Sequence, residues 1–360
     1  MARGDSRERV SIGAAAGMSV VAGAGEPTEG QWSRARKELK RNRLAMVGLY
    51  VVLFLLALAV TADFLANNKP YYLVYHSRTY FPLVRSGLVR FGLGKWQPEL
   101  LNVDFKTLEA ERKIFPPIPY LPSDIDLTAP FELPSAKHWL GTDKLGRDVT
   151  AGLIHGSRIS LSVGFVAVGI ALIVGVILGA LAGYFGSWTD LVISRIFEVM
   201  LTMPTFFLLI AIAAMFPPSI FLTMAIIGLT GWVGIARFTR SEFLKIRNLD
   251  YVTAALALGV STRKIMFRHI FPNALAPVMV SVVLGVSGAI LLESSLSFLG
   301  IGVPAETVSW GSILNEARSN TFAWWLALFP GAAIFITVLS YYLVGEGLRD
   351  ALDPRLRGSR

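Results

Sequence analysis

Residues 160–185 read SLSVGFVAVGIALIVGVILGALAGYF, with no charged side chain anywhere in the run. A helix rises about 1.5 Å per residue, so this stretch is longer than the roughly 30 Å hydrocarbon core of a bilayer. It reads as a membrane span. Composition agrees. The 360 residues are 53% hydrophobic and only 16% charged, with a mean hydropathy of +0.55. Soluble domains carry about 25% charged residues.

Working outward, five more stretches are long and apolar enough to cross, at about 44–64, 191–215, 219–238, 274–300 and 323–345. Spans three and four touch through the turn FPPS at 216–219. Nine Lys/Arg lie in residues 1–43, seven in 237–272 and four after Gly345, whereas 302–322 holds only Arg318. Short loops rich in Lys/Arg stay in the cytoplasm, while long loops translocate despite their charge. Both termini and the 239–272 loop are therefore expected inside, and 65–159 outside. The fold class expected is an all-α polytopic membrane protein, six transmembrane helices with a long periplasmic insertion between helices 1 and 2. Residues 1–43 read as a cytoplasmic leader, partly disordered, and 44–64 as an uncleaved anchor. SIGAAAGMSVVAGAG (11–25) lacks the Leu-rich core of a signal peptide. The membrane core is 160–345, and 346–360 reads as a cytoplasmic tail.

Several chemistries are set aside by the same reading. There is no cysteine, which removes disulfide and thiolate sites. His76, His138, His155 and His269 are scattered without ligand spacing, so no metal site is expected. The net charge of +9 is explained by retained loops, and no nucleic-acid module is visible. GTDKLGRD (141–148) has glycines five apart but lacks the Gly-Lys-Ser/Thr that grips phosphate and magnesium. It reads as a structured turn before span two. Gly175, Gly179 and Gly183 form a ladder of small residues for close helix packing.

The segment YVTAALALGVSTRKIMFRHIFPNALAP (251–277) is not a span. Asp250 is placed to cap a short helix over 251–258, and Gly259 to end it in the left-handed region. Ser261 is placed to cap a second, basic helix over about 262–270. Pro272 disfavours helix at Phe271, so the next span is expected to start at Asn273. The first helix shows an uncharged face of Ala254, Ala255, Ala257 and Leu258. Such a helix is marginal alone, so it either docks on a partner or packs on its own loop.

This segment resembles the EAA loop of ABC-importer permeases, EAA-x3-G-x9-I-x-L-P, through Thr253-Ala254-Ala255, Gly259, His269, Phe271 and Pro272. Thr253, His269 and Phe271 depart from Glu, Ile and Leu. HWLGTDKLGRDV (138–149), DLVISRIFEVMLTMPTFFLL (190–209), LESSLSFLGIGVP (292–304) and RDALDPRLRG (349–358) resemble the C-type permeases of dipeptide, oligopeptide and nickel importers. These motifs span 138–358. ANNKPYYLVYHSRTYFPLV (66–84) resembles the Yej-type oligopeptide subgroup.

The resemblance implies a non-catalytic translocation subunit of an ATP-driven importer of peptides, or of nickel or another small solute. It implies a homologous second permease, two ATP-binding-cassette ATPases that bind ATP and Mg, and a periplasmic binding protein, with no cofactor on this chain. Thr253, Ala254, Ala255, Gly259, Arg263, His269 and Pro272 would couple to the ATPase. Gly141, Thr142, Asp143, Gly146, Arg147 and Asp148 would form a periplasmic gate or binding-protein contact. Arg195 and Glu198, three apart on one helix face, would form an internal ion pair or gate. Glu293 would hold helices together or meet a peptide's amino terminus. An ion-coupled transporter working alone would need inverted repeats, and none is evident.

Overall fold

Two of the long helices start where a side chain caps them. The computed structural model describes residues 31–90, 92–101, 103–304 and 306–352. Most of the leader and the end of the tail lie outside the described residues. A basic helix, α1 (Gln31–Arg41), leads to Asn42, whose side chain accepts from the Ala45 amide at 3.1 Å and opens α2 (Arg43–Leu65). The insertion follows, with β1 (Tyr72–Tyr75), β2 (Arg78–Tyr80), α3 (Pro82–Arg90) and β3 (Arg112–Ile114). Its antiparallel sheet has the order β2-β1-β3. His76 and Ser77 both take positive φ, the signature of a two-residue hairpin turn. Leu73, Tyr80, Leu100 and Phe105 form a small core there. The membrane part is all helix, and this small sheet is an addition that span counting did not anticipate.

The remaining helices are α4 (Val149–Phe185), α5 (Ser187–Thr202), α6 (Thr205–Met215), α7 (Ile220–Ile246), α8 (Asp250–Ala257), α9 (Thr262–Lys264), α10 (Phe271–Phe298), α11 (Trp310–Ser319) and α12 (Trp325–Leu352). Among the described residues, five continuous helices are long and apolar enough to cross a membrane. The α5–α6 pair, bent by 82°, makes a sixth if counted as one span. The bend falls at Met203 and Pro204, where proline cannot continue the ladder.

Two expected boundaries shift. The helix that carries span two begins at Val149, ahead of the apolar run from 160, because the Asp148 carboxylate caps it through the Ala151 amide at 2.7 Å. Its polar first turns are satisfied by protein: Arg158 donates to the Ala59 carbonyl at 3.0 Å, and a ring nitrogen of His155 lies 2.8 Å from the Ala66 carbonyl. The break expected before Asn273 is absent. Helix runs without interruption over Thr262–Phe298. Residues Ile265–Ile270 adopt π-helical turns, with the Phe271 amide reaching back to the Met266 carbonyl. That wider spacing accommodates Pro272, which has no amide to donate.

Packing centres on α4 against α7. A Cβ added at Gly175, Gly179 or Gly183 would lie 2.9, 2.4 or 2.6 Å from the carbonyl oxygens of Trp232, Ala236 and Arg240 on α7. Gly228 of α7 returns the approach, with a Cβ 2.6 Å from the Ala167 carbonyl. Where lipid offers no hydrophobic drive, this closeness lets dispersion hold the pair together. Leu161, Val163 and Ala167 join Ile226, Ile227 and Ile290 in one buried cluster.

Candidate functional site

The inner segment is built on two buried anchors. Val252 and Ala255 of α8 pack with Ile265, Ile270 and Ala274 against Phe243 and Ile246 at the end of α7. The helix stops at Gly259, with φ +75°. The Val260 amide bonds the Ala255 carbonyl at 3.1 Å and the Gly259 amide bonds that of Leu256 at 3.0 Å, the two bonds of a Schellman stop. Leu249, not Asp250, occupies the cap position, and Ser261 makes no side-chain cap bond.

The expected uncharged face is therefore divided. Ala255 points inward, while Thr253, Ala254, Leu256, Ala257 and Leu258 are exposed, Leu258 by 83%. Arg263, Arg268 and Pro272 are also exposed, and His269 is half-buried. Tyr251 and Phe267 extend the exposed apolar surface. Asn273 donates to the His269 carbonyl at 2.8 Å and lies 3.4 Å from the Tyr251 hydroxyl, linking α8 to the π-helical turns.

Two arginines tie this segment to the rest. Arg247 donates to the Gly183 and Tyr184 carbonyls at 3.2 and 2.8 Å, a cation at the C-terminus of α4. Arg240 grips the Asp190 carboxylate with two nitrogens, Nη2 at 2.5 Å, joining α7 to α5. The Asp190–Arg240 pair was not singled out in the sequence. Its signal was an acid at the start of one apolar stretch and a base near the end of the next.

Arg195 and Glu198 do pair, one turn apart on α5. Their side chains are 71% and 59% exposed on this chain. Glu293 is fully buried. It accepts from Ser297 at 2.7 Å and Ser160 at 3.3 Å, joining α10 to α4. The structure thus separates these three residues, placing one pair on an outer face and one carboxylate inside a serine cage.

The outer loop is self-satisfied. Gly141 and Gly146 have φ +81° and +71°. Asp143 accepts from the Leu145 and Arg147 amides at 2.8 and 2.9 Å and from Arg147 Nε at 2.5 Å. Arg147 then reaches Glu316 of α11 at 2.7 Å. Burial pushes the Glu316 carboxyl up, with Asp143 adding to it, against the pull of Arg147. Thr142 donates to the Ala129 carbonyl at 2.7 Å, and Trp325 donates to the Thr142 carbonyl at 3.0 Å. Asp148 lies 2.8 Å from Nδ1 of buried His138, a partner the sequence did not assign. A cavity of about 340 Å³ opens beside Asp143, Arg147, Glu316 and Ser297. Among the described residues, no three His, Asp or Glu side chains are grouped to hold a metal ion.

The family profile described as "binding-protein-dependent transport system inner membrane component" matches residues 175–358. A second, "N-terminal TM domain of oligopeptide transport permease C", matches 30–82. The chain is 35% identical to the dipeptide transport system permease protein DppC of Alkalihalophilus pseudofirmus, over 91% of this chain and 90% of the relative. It is 34% identical to the peptidoglycan transport system permease protein YejE of Agrobacterium fabrum, over 89% of this chain and 92% of the relative. A solved structure of the MetNI methionine ABC transporter is similar at TM-score 0.43 and 16% identity, covering 56% of this chain and 95% of that chain.

Proposed function

The chain belongs to the family of binding-protein-dependent transport inner membrane components, and from that premise we propose how it works in an ATP-driven peptide importer. It is a multi-pass, non-catalytic permease subunit. Family membership implies a partner permease, ATPase subunits and a periplasmic binding protein. The finer assembly proposed is one homologous permease, two ATPases carrying ATP and Mg, and both termini in the cytoplasm.

One observation carries the reading. The segment from Asp250 to Pro272 packs one side on α7 and leaves an apolar strip, Tyr251, Leu256, Leu258 and Phe267, in the open. Such a strip at the surface marks an interaction site. Docked in an ATPase cleft, α8 would move with ATP-driven closure. Its buried residues Val252 and Ala255 press on Phe243 and Ile246, so the motion enters α7. The uninterrupted helix Thr262–Phe298 rises about 55 Å at 1.5 Å per residue. It carries the same motion to Glu293 and the outer end. Arg195 and Glu198 are too exposed for lipid contact. We assign them to a face covered by the partner permease or lining the path.

Peptide is the proposed cargo, in keeping with the dipeptide and peptidoglycan systems named among the relatives. Nickel is the alternative, since no peptide-specific group stands out. The test is uptake by the transporter reconstituted with its binding protein, offering labelled peptide or nickel. Peptide uptake that stops in Gly259→Pro supports the reading. Transport by this chain alone, without ATPases, would favour an ion-coupled carrier instead.

A further inference from the structure

Residues 69–95 of the insertion contain Lys69, Arg78, Arg85, Arg90 and Lys95 and no acidic residue. Within this run lies α3, whose side chains divide sharply. Pro82 and Leu83 are buried against the insertion. Val84 and Leu88, four apart on one edge of the helix, are exposed, as is Phe81 just before it. Leu93, just beyond the helix, is 76% exposed. The helix is tied to the outer end of the first span: Arg90 Nη1 lies 3.1 Å from Asp63 Oδ2, and Asp63 also receives Arg158 of α4 at 3.1 Å. The Tyr71 hydroxyl donates to the Phe64 carbonyl in the same last turn of α2. Tyr72 meets Phe81 edge to face, with ring centroids 5.9 Å apart. Val60 and Phe64 of α2 are themselves exposed, as lipid-facing residues of a span would be.

We propose that α3 is a membrane-surface anchor. Its edge of Val84 and Leu88, with Phe81 and Leu93, enters the leaflet beside the outer end of α2, and the surrounding cations meet the phosphates of anionic lipid. Three observations choose lipid over a protein occupant. The Arg90–Asp63 pair holds α3 at the end of α2, where the exposed Val60 and Phe64 also lie. Aromatic rings cluster at the depth where the span ends, as interfacial Tyr does. Arg78 is taken by Glu99 and Arg90 by Asp63, and the remaining cations of the run, Lys69, Arg85 and Lys95, suit lipid phosphate. The anchor would fix the height of the insertion above the membrane. It rests only on α2 being a span, so it stands or falls separately from the cargo and the ATPase contacts.

The cysteine-free chain allows a direct test. Single substitutions Val84→Cys, Leu88→Cys and Leu93→Cys, with Thr107→Cys as an exposed site elsewhere in the insertion, are labelled with an environment-sensitive fluorophore. The full chain, with its co-purifying subunits, is placed in nanodiscs. Lipids carrying a shallow doxyl quencher should remove most emission at positions 84, 88 and 93 and little at 107. Quenching should be stronger in phosphatidylglycerol than in phosphatidylcholine. Equal quenching in both would remove the headgroup charges from the proposal. Quenching by aqueous iodide but not by lipid would overturn the anchor, leaving α3 in water. Shielding from both quenchers would also overturn it, in favour of a covering protein.

Discussion

The loop at 141–148 turns its polar groups inward, whereas the segment at 250–272 turns apolar groups outward. In the outer loop, Thr142, Asp143 and Asp148 are buried and each finds a hydrogen-bond partner within the chain. Such networks are costly when half-made and rigid when complete. In the inner segment only Val252, Ala255, Ile265 and Ile270 are buried, and the outer surface holds Leu256, Leu258 and Phe267. The outer loop meets its own buried groups within this chain, while Nε2 of His138 and Oε2 of Glu316 beside it have no hydrogen-bond partner. The inner one leaves apolar surface uncovered by this chain. The same contrast appears in two glycines of equal backbone sign. A Cβ at Gly146 would sit 1.8 Å from the Asp126 carbonyl oxygen, while one at Gly259 would meet nothing within 4 Å.

The contrast can be broken most forcefully within α8 itself. Val252→Asp buries an unpaired carboxylate and should cost roughly 3–5 kcal/mol. Leu258→Asp lies on the exposed side and should stay within about 0.5 kcal/mol. Thermal unfolding of the two purified variants reads the difference directly. Equal losses would mean that the segment has no free face.

Next come the glycines. Gly146→Ala combines a left-handed backbone with a clash and should cost about 3 kcal/mol or more. Gly259→Ala bears only the conformational term, about 1–2 kcal/mol. Melting temperatures that fall equally would remove the distinction between a filled and an open turn.

The Asp190–Arg240 tie between α5 and α7 should show a smaller effect. Asp190→Ala should cost about 1–3 kcal/mol, discounted from a fully buried pair because both side chains keep some solvent access. A double-mutant cycle with Arg240→Ala should recover a positive coupling. Additive losses would demote the pair to a surface contact.

The smallest effect expected is one of pH in the outer loop. Burial raises the Glu316 carboxyl above its ordinary range. A folded-state pKa above the unfolded one gives stability that is present at low pH and lost as pH rises through the folded value. Glu316→Gln should flatten that decline between mildly acid and neutral pH. A slope identical to that of the parent protein would show that Glu316 does not titrate in this window.

Spans were legible from hydropathy because a bilayer demands length and apolarity. The glycine ladder on α4 was legible because only close packing needs a small residue every fourth position. Gly259 was readable as a helix stop for its left-handed freedom. Other features depend on distant partners. The π-helical turns at Ile265–Ile270 arise from how the chain accommodates Pro272 while Ile265 and Ile270 both stay buried, which local rules treat as a break. The three short strands carry too few residues for a period-two pattern to stand out. Asp190 meets Arg240 across fifty positions, and His138 meets Asp148 through a fold of the loop. Of the candidate site residues, those on the exposed side of 250–272 were placed by motif register. The inward turn of Ala255 was visible only once α7 was in place.

The most direct measurement is site-specific cross-linking from Leu258→Cys in the assembled transporter, with and without ATP. The expected result is a cross-link to an ATPase subunit whose yield changes with nucleotide, while Val252→Cys stays unreactive. A Leu258 position that reacts freely with water-soluble thiol reagents in the active complex, and never with an ATPase, would contradict the coupling role of this segment.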